Sequence, residues 1–187
     1  MSTEFLDERR KSLEDEFFHR ENQKKLEAMK DKLSAQESRD ELRRASGMND
    51  DAVLDRLVAL GIRGQTIAAL SLVPLIVVAW ADGSIQANER SSILESAKGK
   101  GIDAGGPGHE ILSSWLDHKP EPALFDAWEG YIKTLVVELT DEQRKLMRTQ
   151  ILGFARMIAE SSGGILGFGK VSASEEKVLA RIDGAFH

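Results

Sequence analysis

The chain has 187 residues, a formal net charge of −6 and no cysteine. This length suits one ordinary domain with an appendage, because domains typically run to about 100–150 residues. Residues 1–50 hold 13 acidic and 11 basic side chains, so neither this part nor the remainder has the basic excess of a nucleic-acid binder. We therefore expect no nucleic-acid partner, and the lack of cysteine favours a reducing, cytoplasmic location.

A charged segment without Gly or Pro runs from Thr3 to Arg44 and predicts a long helical arm, which we place at residues 1–46. Its apolar side chains form two clusters on opposite helix faces. This phase reversal argues against one continuous two-stranded coiled coil, which needs a sustained heptad. We expect both clusters to contact a protein partner, a second copy of the chain or the domain itself; they are Leu6, Leu13 and Phe17, then Leu26, Met29 and Leu33.

Residues 47–187 predict one compact all-α domain, because apolar side chains recur at three- and four-residue intervals and no stretch alternates as a strand would. One helix is expected to kink at Pro74. Thr140 and Gln143 have the spacing of a capping box, which predicts a helix start after Thr140. The predicted helices are 51–60, 65–81, 88–98, 107–117, 124–139, one following Thr140, and 174–183.

Two stretches of the domain, 78–89 and 158–175, repeat one pattern. Each is the end of an apolar helix, a glycine turn and a new helix that starts near a glutamate, Glu89 in the first copy and Glu175 in the second. Ser162 stands in the second copy where Asp82 stands in the first. The repeat predicts a domain of two related halves.

The turn from Asp82 to Glu89 is the candidate functional stretch. Its order of Asp, Gly and a later Glu matches the second half of an EF-hand loop, but Val78 and Trp80 occupy positions that need oxygen ligands, so an EF-hand is excluded. In one interpretation Glu89 stabilises a helix start, as Glu175 does with Ser172. In the other, Asp82 and Glu89 form a weak site for a divalent cation, Ca²⁺ or Mg²⁺.

The apolar helix that runs into Ala81, Asp82, Gly83, Ile85 and Glu89 resembles the TerB-like tellurite-resistance and stress-response family. The resemblance covers roughly residues 50–187. It implies an all-helical domain of two related halves, a cytoplasmic role in stress responses, association with membrane-linked complexes and an acidic metal-binding surface. It transfers no catalytic residue.

A second resemblance to a known family concerns the N-terminal arm. The order of its aromatic and charged residues resembles the N-terminal inhibitory segment of zeta-type ATP synthase inhibitors; the residues are Phe5, Arg10, Lys11, Leu13, Glu14, Phe17, His19 and Glu21. This resemblance implies an arm that regulates an ATPase.

A glycine-rich segment after the second apolar helix carries Ile165, Leu166 and Phe168. These side chains are expected either to pack on the core or to form a contact patch for a partner or a membrane surface.

Together these patterns predict a non-enzymatic helical interaction or stress-response module. Two alternatives stay open: an ATPase inhibitor that acts through the N-terminal helix, and a metal-dependent hydrolase that uses Asp82 and Glu89. The four histidines stand at no readable spacing from a nucleophile, so we assign no catalytic residue.

Overall fold

In the computed structural model the described residues are 20, 24–25, 28–29, 31–161 and 171–187, and within them every regular element is a helix. The predicted all-α class is thereby confirmed. Helix α1 covers residues 31–46, and the described residues before it are also helical. The later elements are α2 (Asp51–Ala59), a 3₁₀ turn (Gly64–Thr66), α3 (Ile67–Leu70), α4 (Val73–Ala79), α5 (Ala87–Gly99), α6 (Pro107–Asp117), α7 (Pro122–Val137), α8 (Asp141–Ser161) and α9 (Ala173–Gly184).

Helix α4 lies at the centre of the fold. Six of its seven residues are buried, and it packs against α5, α7, α8 and α9. The single kinked helix predicted for 65–81 is wrong: the chain forms α3, breaks, and starts α4 with Pro74 in its first turn. Proline lacks the N–H that a continuous helix would need there, whereas the first turn of a new helix needs no such bond.

The other predicted helix starts are confirmed where a local signal defined them. Thr140 and Gln143 form the capping box: the Thr140 N–H donates to Gln143 Oε1 at 3.0 Å, and the Gln143 N–H donates to Thr140 Oγ1 at 3.3 Å. The side chain of Asp50 accepts from the Val53 N–H at 3.1 Å and caps α2. These bonds satisfy amides that have no partner inside their own helix.

The C-terminal end of α1 is part of the domain core. Leu42 is fully buried, and Arg39 forms an ion pair with Asp55 of α2 at 2.7 Å. Arg43 forms an ion pair with Asp51, which lies on α2 as Asp55 does. The last turns of the predicted arm are therefore fixed to the domain by both apolar and charged contacts.

Side-chain bonds join helices that are distant in sequence. The Trp80 indole N–H donates to the Trp115 carbonyl at 2.9 Å, and Arg90 pairs with Asp117 at 2.8 Å, so α6 is held against the α4–α5 turn. Among the helices described, none combines the length and the apolar character needed to cross a membrane.

Candidate functional site

The predicted acidic turn forms the start of α5, and its two carboxylates have different environments. Glu89 is 1% exposed, and its Oε2 accepts the Gln86 N–H at 2.8 Å. Asp82 is exposed, and its Oδ1 accepts the Ser84 N–H at 3.1 Å. Both carboxylates thus stabilise the turn through backbone amides; the helix-start interpretation predicted this for Glu89, and the bond of Asp82 was not predicted.

Gly83 lies between them with φ of +100°. A side chain is disfavoured at this angle, and glycine is the residue that adopts it readily. The turn can therefore reverse the chain directly between Trp80 and the first residue of α5.

The start of α9 repeats this arrangement. Glu175 is 3% exposed; its Oε2 accepts the Ser172 N–H at 2.5 Å, while Ser172 Oγ accepts the Glu175 N–H at 3.2 Å. The capping box predicted for these two residues is confirmed. The preceding residues of the second copy, Ser162 and Gly163, lie outside the described part of the chain.

Glu175 lies close enough to Glu89 to act on it electrostatically. The pKa of Glu89 is raised to about 7, chiefly because burial disfavours its charged form; the hydrogen bond from the Gln86 N–H lowers this pKa, and the negative charges of Asp82 and Glu175 contribute to the rise. Glu89 therefore exchanges its proton near neutral pH. Each glutamate was visible in the sequence as a helix-start residue, but their proximity follows from tertiary packing.

The packing around the pair is reciprocal. Helix α4 contacts α8, and each of them also contacts the helix that follows the other: α4 contacts α9, and α8 contacts α5. The helices that carry the described parts of the two repeated stretches therefore pack against one another, with Glu89 and Glu175 near the contact.

The side chains that could bind a ligand at this site are acidic and few. Asp82 and Glu89 each give one oxygen to a backbone amide. Across the described residues, no group of three or more His, Cys, Asp or Glu side chains is placed to hold a metal ion. Calcium usually takes about six to eight oxygens, so a cation here would keep most of its water.

A groove adjoins the acidic turn, and no sequence pattern predicted it. It encloses about 260 Å³ between the end of α4, the start of α7 and one face of α9. Lys119 Nζ lies 3.5 Å from the Trp80 carbonyl at its rim. The lining side chains are largely apolar and include Val77, Trp80, Pro120, Pro122, Phe125 and Val178.

Arg181 closes one side of this groove. Its guanidinium lies 4.4 Å from the centre of the Phe125 ring and donates to Asp126 and Glu129 of α7, at 2.6 Å each from Nη2. Asp126 and Glu129 balance the charge of Arg181, so Lys119 is the cation at this groove that no described carboxylate pairs.

The predicted partner-contact residues are described in part. Met29 and Leu33 are 61% and 59% exposed on the arm. The remaining members lie outside the described residues; these are Leu6, Leu13, Phe17, Leu26, Ile165, Leu166 and Phe168. Phe154 recurs at apolar spacing with Ile151, Ala155 and Ile158, yet it is 44% exposed, because it lies at the edge of the face that those residues pack against the core.

Comparison of the chain with protein-family models, curated proteins and solved structures finds no match in any of the three.

Proposed function

We propose that the protein is a non-enzymatic helical interaction module of TerB-like type, which binds a protein partner through the exposed apolar face of its arm. The observation that carries the proposal is a contrast within the arm. Met29, which precedes α1, and Leu33 of α1 are mostly exposed, whereas Leu42 near the end of α1 is fully buried. A helix fixed at one end and apolar on an exposed face suits the docking of a partner.

The TerB-like part of the proposal is supported by the two helix starts. Glu89 and Glu175 occupy equivalent places in the repeated sequence, and both accept a backbone N–H at the start of their helices. The reciprocal contacts of α4 and α8 with α9 and α5 are what two related halves would make. The stress-response role comes from the resemblance of Asp82, Gly83 and Glu89 to that family's motif.

The arm is tested by affinity capture from the native cell with quantitative mass spectrometry. The test variant is Met29→Asp with Leu33→Asp, which places two charges on the apolar face. Its matched control is Ala28→Asp with Ser34→Asp, which adds the same charge at two exposed positions that lie about 120° away from the centre of that face at about 100° per residue. The proposal expects the first pair to lose a specific partner by about tenfold or more, since buried apolar anchors dominate interface energies.

Equal capture by wild type and both variants would contradict a role for this face. Loss of an ATPase in particular, together with loss of its inhibition in vitro, would favour the inhibitor alternative for the arm. The fold of each variant is checked by circular dichroism before capture.

A weak divalent-cation site at Asp82 and Glu89 is a second proposal. The observation that favours it is that like charges from Asp82 and Glu175 help raise the pKa of Glu89, so a nearby cation would relieve their repulsion. Calcium or magnesium would then compete with the Glu89 proton. Titration calorimetry should show tighter binding at pH 8 than at pH 6, and Asp82→Asn with Glu89→Gln should abolish it. No binding heat at about 5 mM ion, where even weak extracellular calcium modules bind, would contradict this site.

A further inference from the structure

The groove beside the acidic turn has walls that other contacts of the fold hold in place. The Phe125 ring is buried and stacks on Trp128, with 5.3 Å between the ring centres. Trp80 is held by the bond from its indole N–H to the Trp115 carbonyl, at 2.9 Å. Arg181 is held over Phe125 by its two carboxylate partners on α7. The groove is therefore formed before a ligand arrives, which lowers the entropic cost of binding.

The size of the groove suits a small molecule. It encloses about 260 Å³, close to the lower end of the roughly 300–1,000 Å³ that small-molecule pockets span. At about 30 Å³ for each water-sized group, this volume takes about nine non-hydrogen atoms. Most of the lining is apolar, with Val77 and Trp80 on α4, Phe125 on α7 and Val178 on α9. An apolar chain or ring of this size would leave water when it enters the groove.

The rim of the groove carries a positive charge that a ligand can use. Lys119 is exposed, and its Nζ donates to the Trp80 carbonyl at 3.5 Å, which is long for a hydrogen bond. An ammonium group has three donors, so the others are available to a ligand. Helix α7 starts at the same rim and no side chain caps its first turn, so the helix dipole adds positive potential there.

One acidic residue, Glu121, is among the described residues that line the groove. It is exposed, and it forms no ion pair with Lys119. Its charge opposes the binding of an anion, but it does not occupy the ammonium group. The position of Lys119 therefore decides the preferred charge of a ligand, and Glu121 reduces the size of that preference.

We propose that this groove binds a small monocarboxylic acid, whose apolar chain or ring packs on Trp80 and Phe125 and whose carboxylate pairs with Lys119. A neutral molecule of the same size would gain nothing from Lys119, and a cationic one would be repelled by it. The site is separate from the partner surface proposed on the arm, and either can exist without the other.

The ligand class is tested with heptanoate as the probe, which has about the nine non-hydrogen atoms that the groove takes. NMR chemical shifts of the full chain follow the titration, and the expected Kd is about 1 mM or tighter for a ligand of this size. Heptan-1-ol and heptylammonium carry the same chain, and they should bind at least about threefold and tenfold more weakly. Acetate, which has the carboxylate without the chain, should not bind at about 10 mM.

Charge variants test the role of Lys119. Lys119→Met keeps the apolar stem and removes the charge, so it should weaken heptanoate about threefold to fivefold and leave heptan-1-ol unchanged. Lys98→Met is the matched control, at an exposed lysine of α5 outside the groove, and should leave both affinities unchanged. Glu121→Gln removes the opposing charge and should tighten heptanoate about twofold.

A space-filling variant tests the place of binding. Val178 is half-buried on α9 in the wall of the groove, and Val178→Phe puts a ring into the space that the ligand needs. Heptanoate and heptan-1-ol should both lose binding, by about tenfold or more. Circular dichroism compares the fold of this variant with that of the wild type.

The proposal is overturned if heptanoate does not bind at about 10 mM, if Lys119→Met binds heptanoate as tightly as the wild type does, or if folded Val178→Phe retains wild-type affinity.

Discussion

Glu89 couples the stability of the fold to pH. Its pKa is about 7 in the folded protein against an ordinary value of 4.5, so the folded state binds this proton more tightly than the unfolded chain does. The contribution of Glu89 to stability is therefore fully present below pH 4.5 and is lost as pH rises through 7. At about 1.4 kcal/mol per pKa unit, the full loss from below pH 4.5 to above pH 7 amounts to about 3 kcal/mol.

Glu89→Gln should flatten this pH dependence. Glutamine keeps an oxygen for the Gln86 N–H and carries no charge at any pH, so the variant should match wild type near pH 5 and be about 2 kcal/mol more stable at pH 8. Urea unfolding at the two pH values measures the difference. Glu95→Gln, an exposed position on the same helix, controls for loss of one charge. An unchanged slope in Glu89→Gln would refute the raised pKa.

Gly83 allows a separate test of the turn. At φ of +100° an alanine is strained, yet its Cβ would meet no atom within 4 Å, so the cost is purely conformational. Gly83→Ala should lower the free energy of unfolding by about 1 kcal/mol or more. Ser84→Ala, at the neighbouring exposed position, is the matched control in the same urea titration. Equal midpoints for the two variants would mean that the turn adopts another conformation.

At the scale of elements, α1 combines a docked end with an exposed stretch, and two leucines distinguish them. Leu42→Ala should cost about 2–4 kcal/mol, because it removes a fully buried side chain and leaves a cavity. Leu33→Ala should change stability by less than about 0.5 kcal/mol, because Leu33 is 59% exposed. Thermal unfolding of both variants checks the contrast, and similar losses would mean that Leu33 packs on its own domain.

Sequence patterns predicted elements well where a local signal existed. The capping box at Thr140 and the proline at the start of α6 define helix starts through backbone chemistry close in sequence. Leu42 carried no such signal, because it stands alone among charged neighbours and its burial depends on where α2 lies. The break before α4 was missed because Pro74 is compatible both with a kinked helix and with the first turn of a new one.

At the scale of the whole molecule, the sequence repeat predicted two similar helix starts but not that the two lie close together in the fold. Proximity of Glu89 and Glu175 depends on α4 packing against α8, a contact between residues about 80 positions apart. No local pattern encodes such a contact. The groove beside the acidic turn was not predicted for the same reason, because the residues that line it come from α4, α7, α9 and the connection before α7.

A double-mutant cycle measures whether the two helix starts form one unit. Glu89→Gln, Glu175→Gln and the double variant are compared at pH 8, above the pKa of about 7 of Glu89. The bonds that each glutamate makes to its own turn cancel in the cycle, and the repulsion between the charges remains as a coupling energy of about 1 kcal/mol. At pH 5 Glu89 is protonated, so the coupling should shrink.

The sign of the coupling is fixed by the repulsion. Either single change relieves it, and the second change then has nothing left to relieve, so the double variant should gain less stability than the sum of the single variants. Glu142→Gln serves as the control. Glu142 lies at the start of α8, far from Ser161 at the other end of the helix, so its change should be additive with Glu89→Gln. Additivity of Glu89→Gln with Glu175→Gln at pH 8 would show that the carboxylates do not interact, and the two repeated stretches would then be independent helix starts within one fold.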